Sequence, residues 1–306
     1  MFNTILQGIT QGLSEFLPIS SSGHLTLLQH FTGNNNLEAN MTTDIALHFG
    51  TLIATCFFFR NDLIPYFTKA GWQDPKRRKI FWLVFIGSIP TALIGLGLKK
   101  KFEAMFESPL AVCVALFITG LLLLISEKLK KKNDHSIKSD QNNSNKESLP
   151  SPAADLKEAN TDDLEVKNTQ PTSDELSGLT YGKAIITGIA QGIACTPGIS
   201  RSGSTIAAGL LLGLKGQEAA RYSFLLMIPA VGGATLLEIL KVAKAGLPEG
   251  LAISNLIVGC LVSMITGFLS LKFLVYIINK QKLAYFAYYL FAISIICFSL
   301  IKFAGM

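Results

Sequence analysis

Residues 5–23, ILQGITQGLSEFLPISSSG, return without a gap as residues 185–203, IITGIAQGIACTPGISRSG. Ile5, Gly8, Ile9, Gln11, Gly12, Ile19, Ser20, Ser22 and Gly23 reappear as Ile185, Gly188, Ile189, Gln191, Gly192, Ile199, Ser200, Ser202 and Gly203, nine identities in nineteen positions at a constant offset of 180. Such a repeat means that the chain is built from two related halves. The repeated unit is broken by Gly, Ser and Pro, whereas much of the remaining chain is apolar enough to lie in lipid. Paired interrupted segments, one per half, point to a midplane site in an inverted-repeat membrane protein.

Hydrophobic residues make up 49% of the 306 positions and charged residues only 16%, with a mean hydropathy of +0.41. Six stretches, near 43–59, 80–98, 109–126, 220–240, 251–275 and 284–303, have the character of spanning helices, which take roughly 20 residues. The chain therefore reads as an all-α integral membrane protein. Its start does not read as a cleavable signal, because it lacks a basic leader and Glu15 and the SSSG run break the apolar segment. Cys56, Cys113, Cys195, Cys260 and Cys297 match no metal-binding spacing, and a disulfide framework is not expected. The net charge of +6 does not indicate nucleic acid, since the basic residues flank spanning segments and serve there as topology signals.

Each half is expected to hold a re-entrant helical hairpin followed by three transmembrane helices. The first repeat covers 1–130, with its hairpin at 1–31; the second covers 181–306, with its hairpin at 181–214. Between them, residues 131–180 are rich in Asn, Ser, Lys, Asp, Glu and Pro and cannot bury enough surface to fold alone, so a disordered linker is expected. Pro and Gly at LPISSSG and TPGISRSG interrupt the helical ladder. Irregular backbone at membrane depth must be buried in protein or line a watery cavity. Three full spans per half invert the second half, so the hairpins should enter from opposite faces. Arg60, Lys69, the basic run 76–79, Lys128, the lysines of 130–132, Lys280 and Lys282 fall on one side of this plan. Lys99, Lys100, Lys101, Lys241, Lys244 and Lys302 fall on the other. The positive-inside rule then places the linker in the cytoplasm and both termini outside.

Within the first motif, Gln11 and Glu15 share a helix face. Pro18 ends that helix, Ser20–Gly23 should form the turn, and His24 should open the second arm. In the second motif Pro197 and Gly198 make the break, Ser200–Gly203 the turn, and Thr205 follows. Helix N-termini at both turns suit a phosphate. The mismatches between the copies carry the chemistry: Ser21 stands opposite Arg201, Glu15 opposite Cys195, His24 opposite Ser204 and Leu25 opposite Thr205. A carboxylate, a hydroxyl, an imidazole and a guanidinium are the inventory of phosphoryl transfer. Ser20 and Ser202, taken alone, read as backbone hydrogen-bonders in their turns. A Glu or Arg at membrane depth is expensive and marks a functional site by default. Asp44 and His48 form another polar pair one turn apart at the start of a span; Asp44 reads as compensation of a helix N-terminus, with direct catalysis there as the lesser alternative. Glu238 and His30 read as interfacial and His135 as solvated.

QGLSEFLPISSSGH (11–24) and PGISRSGST (197–205) resemble the two signature regions of the undecaprenyl-diphosphate phosphatase family, the bacitracin resistance proteins. ALHFGTLIA (46–54) and SFLLMIPA (223–230) extend the likeness across both halves. The resemblance implies a bacterial inner-membrane hydrolase that removes one phosphate from undecaprenyl diphosphate, recycling the carrier lipid for cell-wall synthesis. It implies a site open to the periplasm and a divalent cation, Mg2+ or Ca2+, and it admits a homodimer. By motif, Glu15, Ser21, His24 and Arg201 match the catalytic residues, with Ser21 as nucleophile and His24 as acid/base. Ser200, Arg201, Ser202 and Thr205 match the phosphate-binding turn. Glu15 and Gln11 match the metal positions, although Gln11 stands where many members carry Glu. Leu290 replaces a basic residue common in relatives, and the linker is longer than usual.

The resemblance leaves two routes open, a phosphoseryl intermediate or water activated directly by His24. The SSGH and SR elements also resemble type-2 phosphatidic acid phosphatases, but the fifth residue after Arg201 is Ala207 where those enzymes need His. The non-enzymatic alternative is a polyprenyl-phosphate flippase or secondary transporter of the same architecture.

Overall fold

The computed structural model describes residues 1–34, 36–144, 176–279 and 283–303, and the six candidate spanning segments among them are helical. The first half carries α1 (Phe2–Phe16), α2 (Ser21–Phe31), α3 (Leu37–Phe58), α4 (Pro75–Gly97) and α5 (Pro109–Ser144). The second carries α6 (Tyr181–Ile193), α7 (Arg201–Leu211), α8 (Gly216–Ala245), α9 (Ile253–Asn279) and α10 (Ala284–Phe303). Helices α3, α4, α5, α8, α9 and α10 are each long and apolar enough to cross a membrane. Short helices at Arg60–Leu63, Lys69–Gln73 and Lys99–Phe106 fill the connections.

The hairpins follow from local chemistry. Leu17 is extended, at ψ 145°, because the Pro18 ring disfavours helical backbone in the residue before it. The second arms start earlier than the sequence suggests. Ser20 and Ser200 are N-caps, their hydroxyls accepting from the Gly23 and Gly203 amides at 3.3 and 3.0 Å. Each cap satisfies an amide that the first helical turn would leave unpaired. Ser21–Gly23 and Arg201–Gly203 are consequently first-turn helix rather than loop, and His24 lies inside α2 instead of opening it.

Each hairpin's first arm packs on the middle span of the other half, α1 on α9 and α6 on α4. Gly8 faces Gly259 and Val262, Gly12 faces Ser263 and Gly267, and the Ser270 hydroxyl donates to the Leu13 carbonyl at 2.8 Å. These pairings advance together, so α1 enters from the end where α9 begins. Likewise Gly188 faces Gly87 and Gly192 faces Ile94, so α6 enters from the end where α4 begins. A Cβ on Gly12 would strike Thr266, and one on Gly188 would strike the Gly87 carbonyl; glycine here permits close helix approach, as is common in membranes. The turns meet in the interior, where the Ser202 hydroxyl donates to the Leu17 carbonyl at 3.0 Å.

The expected linker needs correction at both margins. Helix α5 continues through residues 131–144, since no Pro or Gly falls before Pro150 and helix propagates readily once nucleated. Residues 145–175 lie outside the described residues. Leu176 and Leu179 are buried in the cluster that holds Leu210 and Leu214, and Glu218 accepts from the Gly178 amide at 3.1 Å. The packed second half thus begins at 176, because two leucines anchor what composition alone labels as polar. His135 falls in the described α5 backbone. Leu290 is fully buried in a second cluster with Leu27 and Leu116, which leaves it unable to contact a headgroup.

Candidate active site

The meeting point of the hairpins is a cavity of about 260 Å³, lined by Glu15, Ser21, His48, Gln191, Ser200 and Arg201 among others. Glu15 ends α1, Ser21 opens α2, and Arg201 opens α7 from the opposite half. The Ser21 hydroxyl donates to Glu15 Oε2 at 2.6 Å, and Arg201 Nη2 donates to Glu15 Oε1 at 2.5 Å. Gln11, one turn before Glu15, donates from Nε2 to Oε2 at 2.9 Å. A hydroxyl, a carboxylate able to accept its proton and groups orienting that carboxylate are therefore in hydrogen-bond contact, an arrangement that can activate a nucleophile. Burying Glu15 or Arg201 alone would be very costly, and each offsets the other's lost hydration.

The histidines are arranged differently from the reading by motif. His24 does not line this cavity. Its Nδ1 bonds the Ser20 carbonyl at 2.8 Å and its Nε2 the Tyr289 hydroxyl at 2.7 Å, with the two rings stacked 5.6 Å apart. A carbonyl only accepts, so Nδ1 carries the proton and Nε2 accepts from Tyr289. His48 occupies the cavity instead. Its Nδ1 donates to the Asp44 carbonyl at 2.7 Å, and its Nε2 faces Glu15 Oε2 at 3.4 Å. Asp44 turns away to accept from Gln29 at 2.8 Å and lines a separate polar pocket that also holds His30. Glu238 accepts from Thr42 at 2.7 Å.

Of the phosphate-binding set, Arg201 and Ser200 face the cavity. Ser202 is committed to Leu17, and Thr205 hydrogen-bonds Ser223 at 2.5 Å and the Arg201 carbonyl at 2.8 Å. Both hold the turn in shape. Cys195, the repeat partner of Glu15, lines the cavity as well. The sequence sets His48 beside Asp44 with catalysis only as the lesser alternative and gives Gln191 only as the repeat partner of Gln11, though His48 lies within ALHFGTLIA.

The residues expected to hold a divalent cation do not build a site for one. Both Glu15 oxygens are engaged by Arg201, Ser21 and Gln11, and Gln11 turns its amide NH2 towards the carboxylate. Among the described residues no three His, Cys, Asp or Glu side chains converge. Hard divalent cations take about six or more oxygen ligands or keep several waters, and one ion-paired carboxylate is a poor donor set.

Six spans, two re-entrant hairpins meeting inside the bilayer region and a buried Ser–Glu–Arg centre define an integral membrane protein with the groups of a phosphoryl-transfer site. The chain belongs to the bacitracin resistance protein BacA family, whose profile matches residues 4–296. It is 39% identical over 297 residues to a Halothermothrix orenii protein named undecaprenyl-diphosphatase, covering 96% of each chain. Proteins of the same name from Carboxydothermus hydrogenoformans and Methanosphaera stadtmanae are 34% and 37% identical, over 96% and 97% of this chain and 95% and 96% of theirs.

Proposed function

We propose that this protein hydrolyses undecaprenyl diphosphate to undecaprenyl phosphate and inorganic phosphate. The observation that carries the reading is the Ser21 hydroxyl held 2.6 Å from Glu15, with Arg201 of the opposite half on the same carboxylate. A phosphate entering the cavity competes with Glu15 for Arg201, whose planar fork suits phosphate oxygens. The Ser200 cap and the N-terminus of α7 add backbone dipole at the same point.

As Arg201 turns to the phosphate, Ser21 Oγ attacks the terminal phosphorus and its proton passes to Glu15 Oε2. The bond from that phosphorus to the bridging oxygen breaks, and the lipid monophosphate leaves with the electron pair. His48 Nε2 relays the proton from Glu15 to the departing phosphate, restoring the carboxylate. Water then attacks the phosphoserine, giving a proton to Glu15, which returns it to Ser21 Oγ as inorganic phosphate departs. In this scheme Ser21 and Arg201 take the roles of nucleophile and clamp that the motifs suggest, Glu15 accepts a proton where the motifs suggest a metal ligand, and His48 takes the place expected of His24.

The proposed setting is a bacterial inner membrane with the cavity open to the periplasm. Arg60, Lys69, Lys128, Lys183 and Lys215 lie at the end where α4 and α6 begin, and that richer basic end suits the cytoplasm. The test is inorganic phosphate release by purified protein, with acid quench to trap phosphoserine. Phosphate release without a trapped intermediate, together with substantial activity in Ser21→Ala, overturns the covalent route. Absence of release alongside lipid movement in vesicles overturns the hydrolase.

A further inference from the structure

A second cavity, of about 780 Å³, lies between α4, α8 and the segment that precedes α4. Its wall on α4 is the stripe Arg77, Phe81, Val84, Ser88 and Ala92; its wall on α8 is Arg221, Leu225 and Ile228. Steps of three and four residues keep each set on one helix face. The same stripes continue into the catalytic cavity. On α8 the next positions are Val231 and Thr235, which line it. On α4 the next is Gly95, which faces Cys195, itself a lining residue. From Arg77 to Ala92 the groove is about 22 Å long at 1.5 Å per residue.

The opening has a physical cause. At the offset of 180, α4 and α8 correspond to α9 and α3. Those two are pressed together, since a Cβ on Gly50 would strike Ser263 and the Ser263 hydroxyl donates to the Leu47 carbonyl at 2.8 Å. Where that pair has Gly50 and Ser263, the other has Ala230 and Leu83. The fully buried Tyr222 is also wedged in, its hydroxyl donating to the Leu83 carbonyl at 2.8 Å. The helices part along their outer edge. Ser88 satisfies its hydroxyl on the Val84 carbonyl at 2.7 Å, so even the polar lining residue presents hydrocarbon.

We propose that this groove seats the polyprenyl chain of the substrate whose diphosphate occupies the catalytic cavity; this rests on the hydrolase reading above. An apolar trough whose helix faces lead on to the cavity proposed to hold phosphate, with Phe85 and Ile89 exposed at its edge, matches a phosphate joined to a long, branched hydrocarbon. A phospholipid headgroup at the far end fits less well. Arg221 there is paired to Asp62 at 2.7 Å and Arg77 to Asp74 at 3.2 Å, so the basic groups are already neutralised.

Ala92→Phe and Ser88→Phe fill the groove without touching the hairpins. Each should lower kcat/KM for undecaprenyl diphosphate about 10- to 100-fold, the scale on which apolar pockets discriminate, and leave geranyl diphosphate turnover within about twofold. Equal loss on both substrates, or no loss on either, overturns the proposal. A polyprenyl monophosphate with a diazirine in its chain requires no turnover and should label α4 and α8. Labelling there by a wild-type protein that releases no phosphate sinks the hydrolase reading but supports the groove. Labelling confined to other helices overturns the groove, as does phospholipid that co-purifies with wild-type protein but is lost in Arg77→Gln.

Discussion

His24 offers the sharpest separation between motif and geometry. Ser20, the residue before the proposed nucleophile Ser21, is the one non-glycine among the described residues with positive φ, at 67°. Such backbone costs about 1–3 kcal/mol and persists only where neighbours hold it. Its carbonyl is held twice, by the His24 amide at 3.2 Å and by Nδ1 at 2.8 Å. The proposed mechanism makes His24 a positioning residue for Ser21, with proton transfer left to Glu15 and His48. Asn carries its side-chain nitrogen where His carries Nδ1, so His24→Asn retains the bond to Ser20 and surrenders the Tyr289 bond. One hydrogen bond is worth about 0.5–1.5 kcal/mol, which predicts a kcat loss of about tenfold or less. His24→Ala drops both bonds, and the same scale predicts a loss of about 5- to 150-fold. Removal of an acid/base costs about 10²–10⁴-fold, and that loss is expected of His48→Ala. The assay is phosphate release across pH, with thermal melting to verify folding. The titratable groups around the cavity are Glu15, His48 and Cys195; the pH–rate profile of His24→Asn should match wild type in shape. Asn and Ala variants that are both folded and equally inactive, with an altered profile, would refute the positioning role.

Three further outcomes follow from the same contacts. Arg201→Ala leaves Glu15 buried without its cation, a change that typically costs about 3–5 kcal/mol; melting should fall sharply, and Glu15→Gln in the same chain should recover stability but not activity. Without lipid diphosphate the protein should leave the electron paramagnetic resonance signal of micromolar Mn2+ unchanged, because Glu15 is already engaged; tight depletion of free Mn2+ would contradict the donor assignment. Gly188→Ala drives a methyl into the Gly87 carbonyl; overpacking of this kind costs about 1–3 kcal/mol, seen as a lower melting temperature, and an unchanged melt would contradict the tight α4–α6 contact.

The six spans, the hairpins and their opposed entry were legible because apolar length and a gapless repeat depend only on local sequence. The start of each second arm was misplaced by the SxSG pattern, which reads as loop until the serine is recognised as a cap. Leu176 and Leu179 were hidden in a polar stretch, since two anchoring leucines scarcely alter its composition. The histidines exchanged places for a similar reason. His24 is three residues from the nucleophile in sequence, but a helical step of 100° per residue turns it towards α10. His48 comes from another helix, and only the packing of α3 against α1 brings it to Glu15.

The asymmetry of the repeat also explains why neither half suffices. Identities between the copies satisfy backbone: Ser20 and Ser200 cap alike, and the glycines admit α9 and α4 alike. Charge is what differs. Glu15 in the first turn with another Glu opposite it, or Arg201 with another Arg, would leave two like charges buried together, each without a counterion. Divergence to Cys195 and Ser21 removes the second carboxylate and the second guanidinium, leaving one neutralised pair shared between the halves. That pair couples the docking of the hairpins to assembly of the site, because either turn without the other holds an unpaired ion at membrane depth. On the proposed mechanism a diphosphate is recognised by substitution, taking the place of a carboxylate that Arg201 already binds. In that scheme the release of Glu15 from Arg201 is what frees it to accept the Ser21 proton.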